Sequence, residues 1–490
     1  MMSSQTLNTP LGEKPWKKHF LQGFFFTFLL WVTLPAFSFP IAAHSDANIR
    51  LMLNHFWASD WQSFESLIFS QGPLAFLQYP LPIKNNLLWA QSLGFLARVF
   101  LFIGLYHLYP PRKKYKLISV GMAYLLISCL AGHHLIYLAT LLVCVLAALE
   151  KNRSWLMFAT FWAVLNWHIR LAPGLIGLAV VAYTFGHFLI DKPKNKALWF
   201  WLCFWLLALF FSTFLLKPSM SQVLELWEGY FHMTFNSPNL VPGTPASKLV
   251  ILGVALASAL LIFTVKRRLL KTLGVPLALI LTLATIYFSG RAGQGPFLVL
   301  LRIVSICSAL VVLIQPLDRK VILGLSSSLV LFGALGYKTF SLKSWPYTKP
   351  KPLRATQQLL NPTLYAAQWE REMAKWQIDL PPVTCEELVI YPWNFIPFYQ
   401  EGYGLKALPS LQGYLGFIPF LEKANLDHLR SLPKNTCLLF HQPSLNTNTN
   451  LAKSNVGPFL TLPPRTKAFI AKHFRYGYTI NTNYAVYLKN

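Results

Sequence analysis

A carboxylate held at a membrane surface can accept a proton from a hydroxyl group or ligate a divalent cation. In this chain Asp46 is so situated, in the stretch His44-Ser45-Asp46-Ala47-Asn48 that follows the first long apolar run. The same outer loop, 44–86, carries Phe69-Ser70-Gln71-Gly72-Pro73-Leu74. There Gly-Pro predicts a tight turn, with apolar flanks suited to a membrane surface. A structural role for Asp46 stays open: it can cap a following helix and pair with Arg50 at i+4.

A second constellation is Glu225, Glu228 and His232, spaced by three and four so that they share one helical face. Such a face can hold a polar substrate or a metal. It can equally be the polar side of an interfacial helix whose Leu224, Trp227 and Phe231 meet lipid. A third set is cationic: Arg170, just after His168, and Arg291 flank apolar runs, and Arg302 lies within one. Guanidinium groups match phosphate oxygens in pairs, as a phosphate-bearing lipid would require. Snorkelling to headgroups or an internal partner are the structural readings. Arg98 is also intramembrane by position. The adjacent His133 and His134 do not share a helix face and make a weak metal pair.

These residues are set among elements of unusual texture. Of 490 residues 54% are apolar and only 12% charged, about half the charge of an ordinary soluble domain. The charges are crowded into gaps between continuous apolar runs of about twenty residues, which predict transmembrane helices. Runs near 20–43, 87–109, 115–131, 134–149, 154–169, 171–190, 197–216, 247–265, 273–289, 297–315 and 321–338 predict about eleven spans. The net charge of +26 does not indicate nucleic acid, because Lys and Arg flank the runs as topology signals do.

Alternate gaps carry most of that charge. One side holds Lys14, Lys17 and Lys18; Arg112, Lys113, Lys114 and Lys116; Lys151 and Arg153; Lys192, Lys194 and Lys196; Lys266, Arg267, Arg268 and Lys271; and Arg319 and Lys320. The other holds only Arg50, Lys84, Arg170, Lys217, Lys248 and Arg291. This asymmetry predicts a cytoplasmic N-terminus and, with an odd number of spans, a C-terminal tail on the outer face.

The tail, 341–490, is punctuated by proline and patterned like a soluble domain. A helix is expected over 353–376, interrupted near Asn361-Pro362, with further helices over 417–432 and 465–476. Strands are expected over 387–391 and 437–440, and a terminal hairpin or strand over 478–488, which together suggest a small α/β domain. Of six cysteines, Cys129, Cys144, Cys203 and Cys307 fall in apolar runs. Cys385 and Cys437 fall in the tail, where they either pair or stay as buried thiols.

Three stretches, in one order, carry a family resemblance: "HSDANIRLMLNHF…FSQGPLAFLQYP", "VLELWEGYFHMTF" and "VIYPWNFIPFYQEGYGLKALPSLQGYLGFIPFLEKANLDHL". Together they resemble a family of bacterial multi-pass membrane proteins that is itself similar to the GT-C class of membrane glycosyltransferases. That resemblance implies a GT-C-like helical bundle, a sugar donor on a polyprenyl phosphate, and an acidic residue of the first outer loop, here Asp46, that activates the acceptor hydroxyl or binds a metal. Two departures stand out. Ser70-Gln71 replaces the family's Thr-Tyr, and "SGRAGQGPF" keeps Arg291 but lacks the acid and histidine that accompany it in the pattern.

The expected architecture is a bundle over 1–340 with outer loops 44–86 and 217–246, and an outer α/β domain over 341–490. The expected activity is transfer of a sugar to an envelope acceptor on the outer face of a bacterial inner membrane. Asp46 is the catalytic candidate. Arg170, Glu225, Glu228, His232, Arg291 and Arg302 are the substrate-binding candidates, a divalent cation is the candidate cofactor, and lipid and a lipid-linked sugar are the partners. The alternative is a non-catalytic scaffold or carrier for envelope polysaccharide assembly. Paired halves with broken helices, which would point to a transporter, are not seen in the sequence.

Overall fold

The computed structural model describes residues 15–37, 45–59, 67, 72–109, 116–133, 135–191, 193–215, 217, 219–240, 259, 262, 265, 269–289, 294–314, 352–377, 385, 387–390, 405–409, 417–441, 462–481 and 484–490. The apolar runs form helices, since an apolar segment without water must satisfy its backbone groups internally. They are α1 Pro15–Val32, α3 Asn86–Leu108, α4 Lys116–Ala131, α5 Ile136–Glu150, α6 Trp155–Ile169, α7 Leu171–Asp191 and α8 Lys196–Phe214, while α2 Ser45–Ser59 and α9 Met220–Leu240 are helices outside those runs. A π-helical turn, Leu270–Gly274, leads into α10 Val275–Ser289, and α11 Gln294–Ile314 follows.

Among the described residues, three helices are both long and apolar enough to cross a membrane: α3, α7 and α8. α5 is enclosed, with every side chain from Ile136 to Ala148 buried. α8 is apolar all round yet leaves Phe200, Phe204 and Phe211 exposed, the surface expected of a helix facing lipid. The expected runs at 247–265 and 321–338 lie almost wholly outside the described residues.

The first outer loop differs from its sequence reading. Residues 45–59, expected as part of a mixed loop, are the helix α2. Ile49, Leu51, Met52, Leu53 and Phe56 are buried on it together with the polar Asn48, Asn54 and His55. Polar residues interrupt the apolar pattern here because the helix is enclosed on several sides, so a one-faced periodicity never develops. The chain then makes a 3-10 turn, Pro73–Leu77, before α3.

The tail contains α12 Pro352–Leu360, α13 Pro362–Ala374, α14 Pro419–Ser431 and α15 Pro464–His473. Its five strands are β1 Glu387–Ile390, β2 Leu405–Ala407, β3 Thr436–His441, β4 Phe474–Asn481 and β5 Tyr484–Lys489. They form one mixed sheet in the order β2-β1-β3-β5-β4. β1 runs parallel to β2 and β3, while β5 is antiparallel to β3 and β4. Alternation along the strands divides two apolar layers. Val389 and Leu438 pack with Leu429 of α14 and Ile470 of α15. Leu388, Ile390, Cys437 and Leu439 belong to the layer that holds Trp369 and Met373 of α13. The basic helix stops three residues earlier than expected because Phe474 starts β4.

Cys385 and Cys437 are joined as a disulfide, with 5.7 Å between their Cα atoms. Cys129, Cys144, Cys203 and Cys307 are free thiols. The tail is tied to the helices by a side chain that mimics a backbone partner: buried Gln358 of α12 accepts from Phe37 N (3.0 Å) and donates to Phe37 O (2.7 Å).

Candidate functional site

Asn54 organises the first outer loop. It is fully buried, and its amide donates to Arg50 O (2.8 Å) and Tyr79 O (2.9 Å). Its Oδ1 accepts from Leu81 N (2.8 Å) and from Asn86 Nδ2 (3.0 Å). One side chain therefore locks the backbone of α2 to the returning segment 79–81 and to the start of α3. A buried amide with all these partners is rigidly specified, since each lost partner would strand a polar group. The lock sets Tyr79 beneath Arg50, whose guanidinium carbon lies 4.1 Å from the ring centroid.

The α4–α5 turn meets this pair from the other side. α4 ends at Gly132, whose φ of 56° is left-handed and suits glycine. Arg98, buried in α3, donates to Gly94 O (2.8 Å) and Gly132 O (3.4 Å). It thus clamps the turn, and its internal position has a structural reason. The next residue, His133, lies edge-on to Phe37 (5.4 Å) and Tyr79 (6.4 Å). Burial and then the charges of Arg98, Arg302 and Arg50 push the His133 imidazole down to a pKa of about 3. The ring is therefore neutral at physiological pH, and among the described residues the charges that act on it are cationic.

Arg302, half-buried on α11, acts electrostatically on His133. Arg50 and Arg302 thus both bear electrostatically on the neutral His133, and Arg50 also lies over the Tyr79 ring. Asp46 lies in the first turn of α2, one turn before Arg50 and on the same face. Its side chain lies outside the described residues, as does Arg291. Because α2 begins at Ser45, Asp46 is a first-turn residue rather than the residue preceding the helix.

The Gly-Pro turn docks onto the end of α6. Gly72 N donates to Ile169 O (3.2 Å). A Cβ at position 72 would run into the His168 carbonyl, so the close approach requires glycine. His168 Nε2 bonds Ser212 Oγ of α8 at 2.7 Å. The Ser212 hydroxyl itself donates to Leu209 O (3.0 Å), so the histidine is the donor. Arg170 follows in extended conformation, with its Nε buried and unpartnered among the described atoms. Buried Lys217 donates to Leu67 O (2.9 Å), tying the first outer loop to the segment before α9. The sequence candidates Arg170 and Gly72-Pro73 are therefore neighbours. Six residues separate Gly72 from Tyr79, so one outer segment links the Arg170 neighbourhood to Arg50 above the Tyr79 ring.

α9 lies alongside. Trp227 stacks on Trp167 at 4.7 Å, and Tyr230 meets the same ring edge-on at 5.3 Å. Glu225 and Glu228 are exposed. His232 Nε2 is 3.7 Å from Glu228, and its ring stacks on Phe420 of the tail at 5.0 Å. Leu224 and Phe231 are exposed while Val223, Leu226 and Tyr230 are buried. This is the pattern of an interfacial helix, the structural reading of these residues. Among the described residues no group of three or more His, Cys, Asp or Glu is arranged to hold a metal ion.

Sequence reading did not identify the roles of Asn54, Tyr79 and His133, and took Arg50 only as a partner for Asp46.

No protein-family model matches the chain, and no curated protein matches it. Among solved structures, the chain is similar to ArnT from Cupriavidus metallidurans in the apo state, at 14% identity over 96% of this chain and 98% of that one, with a TM-score of 0.40. A likeness that loose says nothing about the activity of this chain.

Proposed function

We propose that the protein is a GT-C-like membrane glycosyltransferase that moves a sugar from a polyprenyl-phosphate-linked donor to a hydroxyl of an envelope acceptor, on the outer face of a bacterial inner membrane. The observation that carries the proposal is Arg50, which lies over the Tyr79 ring one helical turn from Asp46 and, with Arg302, acts electrostatically on His133. Among the described residues the charges acting on His133 are cations, and such a setting favours an anion. A lipid-borne phosphate is the anion such a membrane-embedded site would meet.

In the reaction the acceptor oxygen attacks the anomeric carbon as the bond from that carbon to the phosphate oxygen breaks. The electron pair leaves with the lipid phosphate, whose growing charge Arg50 and Arg302 stabilise. The acceptor proton passes to Asp46. The neutral His133 and the Tyr79 hydroxyl orient phosphate or sugar oxygens, and Arg170 binds a further anionic or polar group along the same outer segment.

The N-terminus is cytoplasmic and residues 341–490 form an extracytoplasmic domain over a membrane-embedded region, 1–340. The Lys and Arg asymmetry supports this orientation. So does the Cys385–Cys437 disulfide, since such bonds persist in oxidising compartments.

The test is transfer of labelled sugar from a polyprenyl-linked donor in membranes holding equal amounts of wild type and Asp46→Asn. The amide keeps the size of the side chain and loses its basicity, so the rate should fall by about a hundredfold. Equal rates would remove Asp46 from the chemistry. Retained donor binding with no transfer by either protein would establish the non-catalytic carrier instead.

A further inference from the structure

The helix pair α12–α13 has two unlike faces. Its inner face is fixed to the bundle. Buried Ala355 and Gln358 lie three apart, and Gln358 holds Phe37 by both backbone groups. Beside them Trp31 Nε1, near the end of α1, donates to Thr356 Oγ1 at 3.1 Å. The opposite face bears Leu353, Leu360 and Leu364, which are 70%, 73% and 51% exposed. The spacing of seven puts Leu353 and Leu360 on one side of α12, and Leu364 follows in the first turn of α13. A water-facing helix pair gains nothing from three bare leucines within twelve residues.

What lies against that face follows from its neighbour. α1 carries a stripe of exposed aromatic residues, Phe20, Phe24 and Phe28, that ends at Trp31. The stripe climbs roughly 16 Å along the helix. Such a stripe on an apolar helix is the surface lipid covers, and a tryptophan at its end marks the headgroup level. The bond from Trp31 to Thr356 brings α12 to that level. The leucine face is thus continuous with a lipid-facing surface at the depth where amphipathic helices lie in the membrane plane.

We propose that α12–α13 is an interfacial helix pair whose leucine face is seated in the phospholipid bilayer, at the boundary between headgroups and acyl chains, so that the tail is held by lipid as well as by the bundle. The proposal rests on the helical part being membrane-embedded and not on sugar transfer.

The full chain in phosphatidylcholine and phosphatidylglycerol vesicles tests it. Two photoactivatable phospholipids are used, one with its diazirine near the glycerol and one at the acyl terminus, and adducts are mapped by peptide mass spectrometry. The shallow probe should label residues 352–364, while α8, with its exposed phenylalanines, should take label from the deep probe. A Leu353→Glu, Leu360→Glu, Leu364→Glu variant changes only exposed side chains. It should lower the 352–364 adducts by about tenfold and leave those on α8 unchanged. Labelled α8 with unlabelled 352–364 would overturn the proposal. Adducts on 352–364 that arise only when the protein is diluted in lipid would assign the face to a second copy of the chain instead. If α8 also stays unlabelled, the membrane reading fails and the proposal with it. Sugar transfer enters none of these outcomes.

Discussion

Arg50, Tyr79 and His133 come from three separate stretches of the chain and meet, with Arg302 acting on His133 from a fourth, whereas Glu225, Glu228 and His232 share two turns of α9 and remain at a surface. The first group is held by interactions that cross the sequence: Asn54 to Tyr79 and Leu81, and Arg98 to Gly132. The second is held by the helix itself and by stacking on Trp167 and Phe420. Helical spacing is cheap to satisfy and arises wherever an amphipathic helix lies on a surface. Bringing cations together away from bulk water is costly unless something compensates them. The second situation is therefore the better indicator of a ligand.

The comparison predicts unequal effects of mutation. The largest belongs to Arg302→Ala, which under the proposed function removes a cation that stabilises the leaving phosphate. Transfer should fall by about a hundredfold to a thousandfold, with Arg302→Lys recovering part of it because the charge survives and the paired geometry does not. A transfer assay on membranes with matched protein levels checks this. A rate within twofold of wild type would detach Arg302 from the site.

Asn54→Ala should have an intermediate effect, of a different kind. It strands the Leu81 amide and the Tyr79 carbonyl that Asn54 now serves, which should cost on the order of 3 kcal/mol of stability. The midpoint of thermal unfolding in detergent reads this directly. An unchanged midpoint would mean that segment 79–81 is held by other groups, and that the site does not depend on this lock.

The smallest effect is expected from Glu225→Gln with Glu228→Gln. Both side chains are exposed, and the Glu228–His232 contact at 3.7 Å is a surface pair of the kind that contributes about 0–1 kcal/mol. Transfer and stability should both stay near wild type. A tenfold loss of transfer with unchanged stability would reverse the comparison and make α9 part of the substrate site.

Much of this chain was legible locally. The bounds of α3 to α8 follow from continuous apolar runs, because a helix is the local way to satisfy a backbone away from water. In the tail, β1, α14, β3 and the β4–β5 hairpin fall within a few residues of their expected positions, because period-two and helical patterns are properties of short windows. The break between α12 and α13 at Asn361-Pro362 was legible for the same reason. The tertiary structure alone decided that residues 45–59 form a helix, that Gly72 lies against His168, that Cys385 reaches Cys437, and that Arg50 and Arg302 share a neighbourhood with His133. Each of these depends on contacts between residues far apart in the chain. A sequence window records which groups need a partner, but the partner is chosen by how the helices pack.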